Sequence, residues 1–270
     1  MTQASYTAIV LAADRGPDDP VARASGAACK SLTVINGKPM LWRVIHALQR
    51  APSIGEIIVV GPAQNVLDAD SELASALHAA GITWVAPASS PSASAGQALK
   101  IIPDDQPVLL TTADHALLQP AMVEELLQGA RNLDFAVAMA AYQEVMDAYP
   151  NTRRTAIRLR PGAGYCGCNL FAVNTERGRS LIEMWQSVES QRKNPTKLVI
   201  GMLGWTAVLR YLLRQLSLTD AFARLSRALH VTVGPVLLSD PSAAIDVDSV
   251  SDLELVRSIL QHNKIAEPPT

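Results

Sequence analysis

"YTAIVLAADRGPDDPVARASGAACKSL", residues 6–32, opens on a short apolar run and breaks into a stretch rich in glycine, proline and aspartate. A run of this kind ending near Ala13 predicts a strand buried on both faces. Gly16, Pro17, Asp18, Asp19, Pro20 and Gly26 predict a loop after it. The loop carries two basic side chains, Arg23 and Lys30. Ligands of α/β sheets bind beyond the carboxyl ends of the strands. A loop that leaves the first strand there, with two cations and free backbone N–H groups, is suited to cradle an anion.

Outward from this stretch, short apolar runs alternate with helical patterns. Strands are predicted at 56–61, 83–86, 107–113 and 135–142, and helices at 39–51, 67–81, 92–102 and 119–131. Near-continuous apolar strands alternating with helices predict an α/β, Rossmann-like, mostly parallel sheet with helices on both faces. The pattern then changes. "RTAIRLR" (154–160) and "CNLFAVN" (168–174) flank "PGAGYCG" (161–167) and read as two strands joined by a turn. Residues 176–229 read as two to four helices, a helical insertion in one domain spanning 1–270. A strand returns within 228–238, and a closing helix follows, capped by Ser249 or Ser251, with Leu253, Val256, Ile259 and Leu260 on one face.

Composition narrows the function. Hydrophobic residues are 49% and charged residues 18% of 270, which supports a packed core. The net charge of −2 argues against general electrostatic binding of nucleic acid. Three cysteines, Cys29, Cys166 and Cys168, form neither a zinc spacing nor an even disulfide set, which points to a cytoplasmic setting. The longest apolar run, Leu198 to Leu209, is shorter than the ~20 residues that span a bilayer. No transmembrane segment is expected, and residues 198–216 are a candidate peripheral-membrane or homodimer contact. "GAGYCG" (162–167) matches a dinucleotide-binding pattern in letters only, because it lies between two strands.

Four segments, in order, resemble the MobA-like nucleotidyltransferases, which include molybdenum-cofactor guanylyltransferases, methylerythritol-phosphate cytidylyltransferases and sugar-phosphate nucleotidylyltransferases. They are the opening stretch with "NGKPMLWRVIHAL" (36–48), "SASAGQAL" (92–99), "VLLTTADHALLQPAMVEELL" (108–127) and "AAIDVDSVSDLELV" (243–256). The family's usual glycine after "LAA" is Asp14 here, and the stretch from Ala13 to Arg23 is longer than in compact members. The resemblance implies a nucleotide-diphospho-sugar transferase type of fold. It further implies a triphosphate site made by Leu11, Ala12, Ala13, Arg23, Lys30 and Ser94, with Arg23, Lys30 and Asp114 catalytic. The implied metal is Mg2+, held by Asp114 and by Asp248, with Asp246 as the alternative. Asn169 is the implied acceptor contact.

The residues suit that chemistry. Nucleotidyl transfer joins two anionic partners, so catalysis is mostly positioning and charge neutralisation, and Mg2+ takes oxygen ligands from one or two carboxylates plus phosphates. On a strand, Arg154, Arg158 and Arg160 share one face, either as a clamp for an acceptor phosphate or as a solvated edge. His115 reads as a loop residue. The expected activity is Mg2+-dependent transfer of NMP, from CTP or GTP, to a small phosphorylated acceptor. The rivals are a glycosyltransferase of GT-A-like architecture, whose usual Asp-x-Asp is replaced by Ala113-Asp114-His115, and a non-catalytic nucleotide-binding protein.

Overall fold

A computed structural model describes residues 5–13, 18–190 and 215–266. Along the chain run β1 (Tyr6–Leu11), α1 (Pro20–Ser25), β2 (Val34–Ile35), β3 (Lys38–Pro39), α2 (Met40–Gln49), β4 (Ile54–Val60), α3 (Gln64–Ala69), α4 (Ser71–Ala79), β5 (Thr83–Val85), α5 (Pro91–Leu99), β6 (Val108–Thr112), α6 (Pro120–Gly129), β7 (Phe135–Ala141), α7 (Tyr142–Ala148), β8 (Ile157–Arg160), β9 (Ala163–Val173), α8 (Glu176–Ser190), α9 (Leu218–Leu229), β10 (Val233–Leu237) and α10 (Val250–Ala266).

The large sheet has the order β10-β7-β9-β6-β1-β4-β5, with β8 paired to β9. β1 is parallel to β4 and β6, β4 to β5, and β7 to β10. β9 is antiparallel to β6, β7 and β8. Side chains alternate across a strand, and β1 shows it. Ala8 and Val10 enter a core packed by α2, α6 and α10, while Ile9 and Leu11 enter a second core packed by α5 and α8. The sheet is thus mostly parallel and covered by helices on both faces, as expected. The two described helices of the 176–229 block join this cover: α8 packs on α5, and α9 on β10. The contact proposed through 198–216 lies, apart from its last two residues, outside the described residues. Among the described residues no helix is long and apolar enough to cross a membrane.

Four local predictions need correction. The stretch after β1 is not all loop. Asp19 accepts hydrogen bonds from the backbone N–H groups of Val21 and Ala22, Pro20 takes the first helical position, and the chain leaves α1 at Gly26. Aspartate, proline and a later glycine are the start and stop signals of a helix, so this turn was readable. The helix predicted at 67–81 is two helices, broken where Asp70 caps α4. Helix α7 had no prediction. The hairpin turn is confined to Pro161 and Gly162, and Arg154 lies before β8, not on it.

β1 and β6 lie at the point where the chain switches from one side of β1 to the other, the place where such sheets bind ligands. The Ala113 N–H donates to the Leu11 carbonyl at 2.9 Å, which ties the two strand ends together. Gly61, just past β4, closes the third side. Its φ is +93°, and an added Cβ would sit 2.8 Å from the Ala13 nitrogen. Gly61→Ala should therefore destabilise the protein by about 1–3 kcal/mol. Urea unfolding checks this, and an unchanged urea midpoint would contradict it.

Candidate functional site

Lys30 starts a short 3-10 turn, Lys30–Leu32, just beyond α1. Its ammonium donates to Asp114 Oδ2 at 2.7 Å and to Asp248 Oδ1 at 2.8 Å. Asp114 follows β6, where the Thr112 hydroxyl donates to its other oxygen at 2.5 Å. Asp248 arrives from the far end of the chain. In "IDVD" (245–248) the apolar residues Ile245 and Val247 are fully buried, and alternation turns Asp246 and Asp248 the other way. The Val247 N–H donates to the Asp114 carbonyl at 3.1 Å and fixes the register of that segment on the end of β6.

The electrostatics follow from this meeting. Burial works against the Lys30 ammonium, but Asp114 and Asp248 outweigh it and hold its pKa above the ordinary lysine value. Burial also works against the Asp248 carboxylate, and the hydrogen bond from Lys30 holds its pKa below the ordinary range. Asp246 goes the other way: burial and the neighbouring Asp248 and Asp114 charges push it up to about 6. Both Asp246 oxygens are engaged, one by Arg154 and the other by the Asn169 amide at 2.8 Å.

Asn169 takes φ +46° within β9, in the left-handed region that asparagine tolerates better than most residues. Its carbonyl accepts from the Thr111 hydroxyl at 3.0 Å. Arg154, predicted as an acceptor contact, gives all five guanidinium N–H donors to Thr152, Asp246 and Asp252. No donor is left for an acceptor. Arg158 and Arg160 do share an exposed face. The Arg158 guanidinium lies 5.3 Å from the Tyr142 ring centroid, beside a cavity of about 220 Å³ lined by Tyr142, Gln143, Arg158, Arg160 and Gly164. Arg158 pairs across the ladder with Gly164. A Cβ on Gly164 would meet the Tyr142 Cβ at 3.0 Å, so the missing side chain lets Tyr142 lie under the arginine.

The remaining predicted residues divide. Leu11 and Ala12 are buried and Ala13 is exposed. Arg23 is exposed and forms no ion pair among the described residues. Ser94 is buried, and its hydroxyl accepts from the Ala88 N–H at 3.0 Å, which holds the loop after β5. His115 lies in the loop between β6 and α6 and is fully buried, with neither ring nitrogen hydrogen-bonded. Burial, against the pull of Asp114 and Asp240, lowers its pKa to about 4. The Arg154 brace and the Tyr142 shelf were not predicted. A sequence signal existed for one anchor of the brace, since Ser249 and Asp252 form a capping box.

Among the described residues no group of three or more histidine, cysteine, aspartate or glutamate side chains is arranged to hold a metal ion. Asp114 and Asp248 nonetheless fit Mg2+. They are hard oxygen donors, the ion needs only one or two carboxylates when phosphates complete its shell, and the two already enclose a cation, the Lys30 ammonium.

The family described as a MobA-like NTP transferase domain matches residues 8–236. A transferase structure from Thermus thermophilus, described as hypothetical, aligns with TM-score 0.74 and 26% identity, covering 92% of this chain and 99% of that one. A CMP:2-keto-3-deoxy-manno-octonic acid synthetase complexed with CTP aligns with TM-score 0.59 and 18% identity, covering 96% and 100%. A 4-diphosphocytidyl-2C-methyl-D-erythritol synthase from Anaerococcus prevotii gives 0.55 and 14%, covering 95% and 96%. No curated protein matches the sequence.

His115 has a measurable consequence. Its folded pKa of about 4 lies below the ordinary 6.5. The unfolded chain therefore takes up a proton that the folded one refuses, and stability falls as pH drops from about 6.5 toward 4. Replacing His115 by leucine removes this contribution. The urea midpoint of His115→Leu should fall less than that of the parent between pH 7 and pH 5. Parallel pH curves for the two proteins would show that the imidazole is not held neutral.

Proposed function

The chain belongs to the MobA-like NTP transferase family and is a nucleotidyltransferase, and from that premise we propose that it transfers NMP to a small phosphorylated acceptor, with Mg2+ and with release of pyrophosphate. The observation that carries this reading is the Lys30 ammonium held between Asp114 and Asp248 at the carboxyl end of β6. CTP is favoured over GTP, because one solved neighbour holds CTP and another is a diphosphocytidyl synthase.

The acceptor phosphate is largely ionised at neutral pH, with a second pKa near 6. One of its oxygens attacks the α-phosphorus, the bond to the β-phosphate bridging oxygen breaks, and pyrophosphate leaves with that electron pair. No proton has to be removed, and no general base is needed. His115, sealed in the core, is unsuited to that role in any case. Lys30 keeps its charge at any working pH and neutralises the triphosphate. Arg23, exposed on α1, adds a second cation from the same loop. Mg2+ bound by Asp114 and Asp248 would offset charge on the transferring and leaving phosphates. Arg158 and Arg160 supply the anion-binding face for the acceptor. The rival glycosyltransferase reading has no Asp-x-Asp after β6, and the second carboxylate comes instead from a loop more than a hundred residues later.

The direct assay is pyrophosphate release from each of the four NTPs with a panel of sugar and polyol phosphates. Release that needs Mg2+ and an acceptor is expected, and no release from any NTP would overturn the proposal. Lys30→Ala should lower turnover about 10²–10³-fold in a protein that still folds, with a lower urea midpoint because Asp114 and Asp248 lose their counter-ion. In Mg2+ titrations Asp114→Asn should raise the midpoint most, Asp248→Asn next and Asp246→Asn least. A reversed order for the last two would move the second ligand to Asp246. Arg158→Ala should raise the acceptor KM about 10–100-fold, the scale of a lost charged hydrogen bond, and leave the NTP KM unchanged.

A further inference from the structure

Arg154 joins two parts of the molecule that the chemistry uses separately. Its side chain is 8% exposed. Nε donates to the Thr152 hydroxyl at 3.1 Å. Nη1 donates to the Asp246 carboxylate, both Nη groups donate to the Asp246 carbonyl at 3.3 Å, and Nη2 donates to Asp252 Oδ1 at 2.5 Å. The partners are themselves fixed. Asp252 Oδ2 accepts from the Ser249 N–H at 2.9 Å and from its hydroxyl at 2.7 Å, and Asp246 Oδ2 accepts from Asn169. The loop 246–252 is therefore held at Asp246, at Ser249 and at Asp252. Asp248 stands between these anchors with a side chain 65% exposed.

The other end of Arg154 is the segment entering the acceptor hairpin. Thr152 is buried, and its N–H donates to the Tyr149 carbonyl at 3.1 Å. Three residues after Arg154 the chain becomes β8, which carries Arg158 and Arg160. A planar guanidinium that spans two carboxylates admits one geometry, unlike a lysine ammonium, which is a point charge and serves one partner at a time.

We propose that Arg154 is a positioning residue that fixes Asp248 opposite Asp114 and, through the same contacts, locks the loop bearing Asp248 to the hairpin bearing Arg158 and Arg160. This rests on the nucleotidyl-transfer reading above, in which Asp248 serves the metal and the hairpin serves the acceptor. Its signature is a double effect. Loss of Asp248 affects Mg2+ and loss of Arg158 affects the acceptor, whereas loss of Arg154 affects both.

The test compares Arg154→Met, Arg154→Lys and Asp252→Asn with the parent. For each, the readouts are the urea midpoint, Mg2+ affinity by calorimetry, kcat, and the KM for whichever acceptor in the phosphate panel the parent uses. Arg154→Met should lose about tenfold or more in both Mg2+ affinity and acceptor KM. Arg154→Lys should recover part of the loss, because it still reaches one carboxylate. Asp252→Asn, which keeps shape and removes one anchor, should show a smaller loss in both. If Arg154→Met does not fold, the other two variants carry the comparison. Folded Arg154→Lys and Asp252→Asn proteins with parental Mg2+ affinity and acceptor KM would overturn the inference, as would a fall in urea midpoint alone. A parent that releases no pyrophosphate from any NTP refutes the transfer reaction instead, and the Mg2+ calorimetry still decides whether Arg154 places Asp248.

Discussion

Four carboxylates, those of Asp114, Asp246, Asp248 and Asp252, gather where the end of β6 and the middle of β9 meet the loop before α10, and two cations hold them there. Lys30 bridges Asp114 to Asp248, and Arg154 bridges Asp246 to Asp252. Like charges this close in a half-buried place repel strongly, and breaking a buried pair by removing one partner typically costs about 3–5 kcal/mol. The acidic groups are therefore balanced by the chain's own cations, and one of these, Lys30, comes from the segment after β1 that the proposed reading assigns to the triphosphate. Asp246, whose surroundings disfavour its charge most, has both oxygens occupied by the protein, as have Asp114 and Asp252.

The sheet makes this meeting possible. β1 and β6 lie side by side and deliver Ala13 and Asp114 to one edge. β9 runs against them between β6 and β7, so its early residues lie at the same edge and bring Asn169 and the hairpin to it. Between them, the backbone bond from Val247 to Asp114 seats the last loop. In the proposed reaction the nucleotide takes the side of β1 and the segment after it, and the acceptor the side of β9 and α7.

Much of this was legible in the residues. The five expected strands from β1 to β7 stand within one or two residues of their predicted ends, because near-continuous apolar runs have few other places to go. Lys30, Asp114 and Asp248 were each singled out, and the fold does bring them within hydrogen-bond distance. The short helix α1 is legible too, in Asp19, Pro20 and Gly26, although proline and glycine also mark turns. Helix α7 had no such punctuation.

What the sequence by itself determined was therefore local and periodic: which segments are buried strands, which helices cover them, and which charged residues end at strand termini. Tertiary structure alone decided the pairings. That Arg154 serves Asp246 and Asp252, ninety-two and ninety-eight residues away, and not an acceptor, depends on β9 inserting antiparallel between β6 and β7. Side-chain spacing along a chain reports which face a residue takes, whereas its partner is set by which distant strand lies alongside, and strand order in a sheet leaves no period in the sequence.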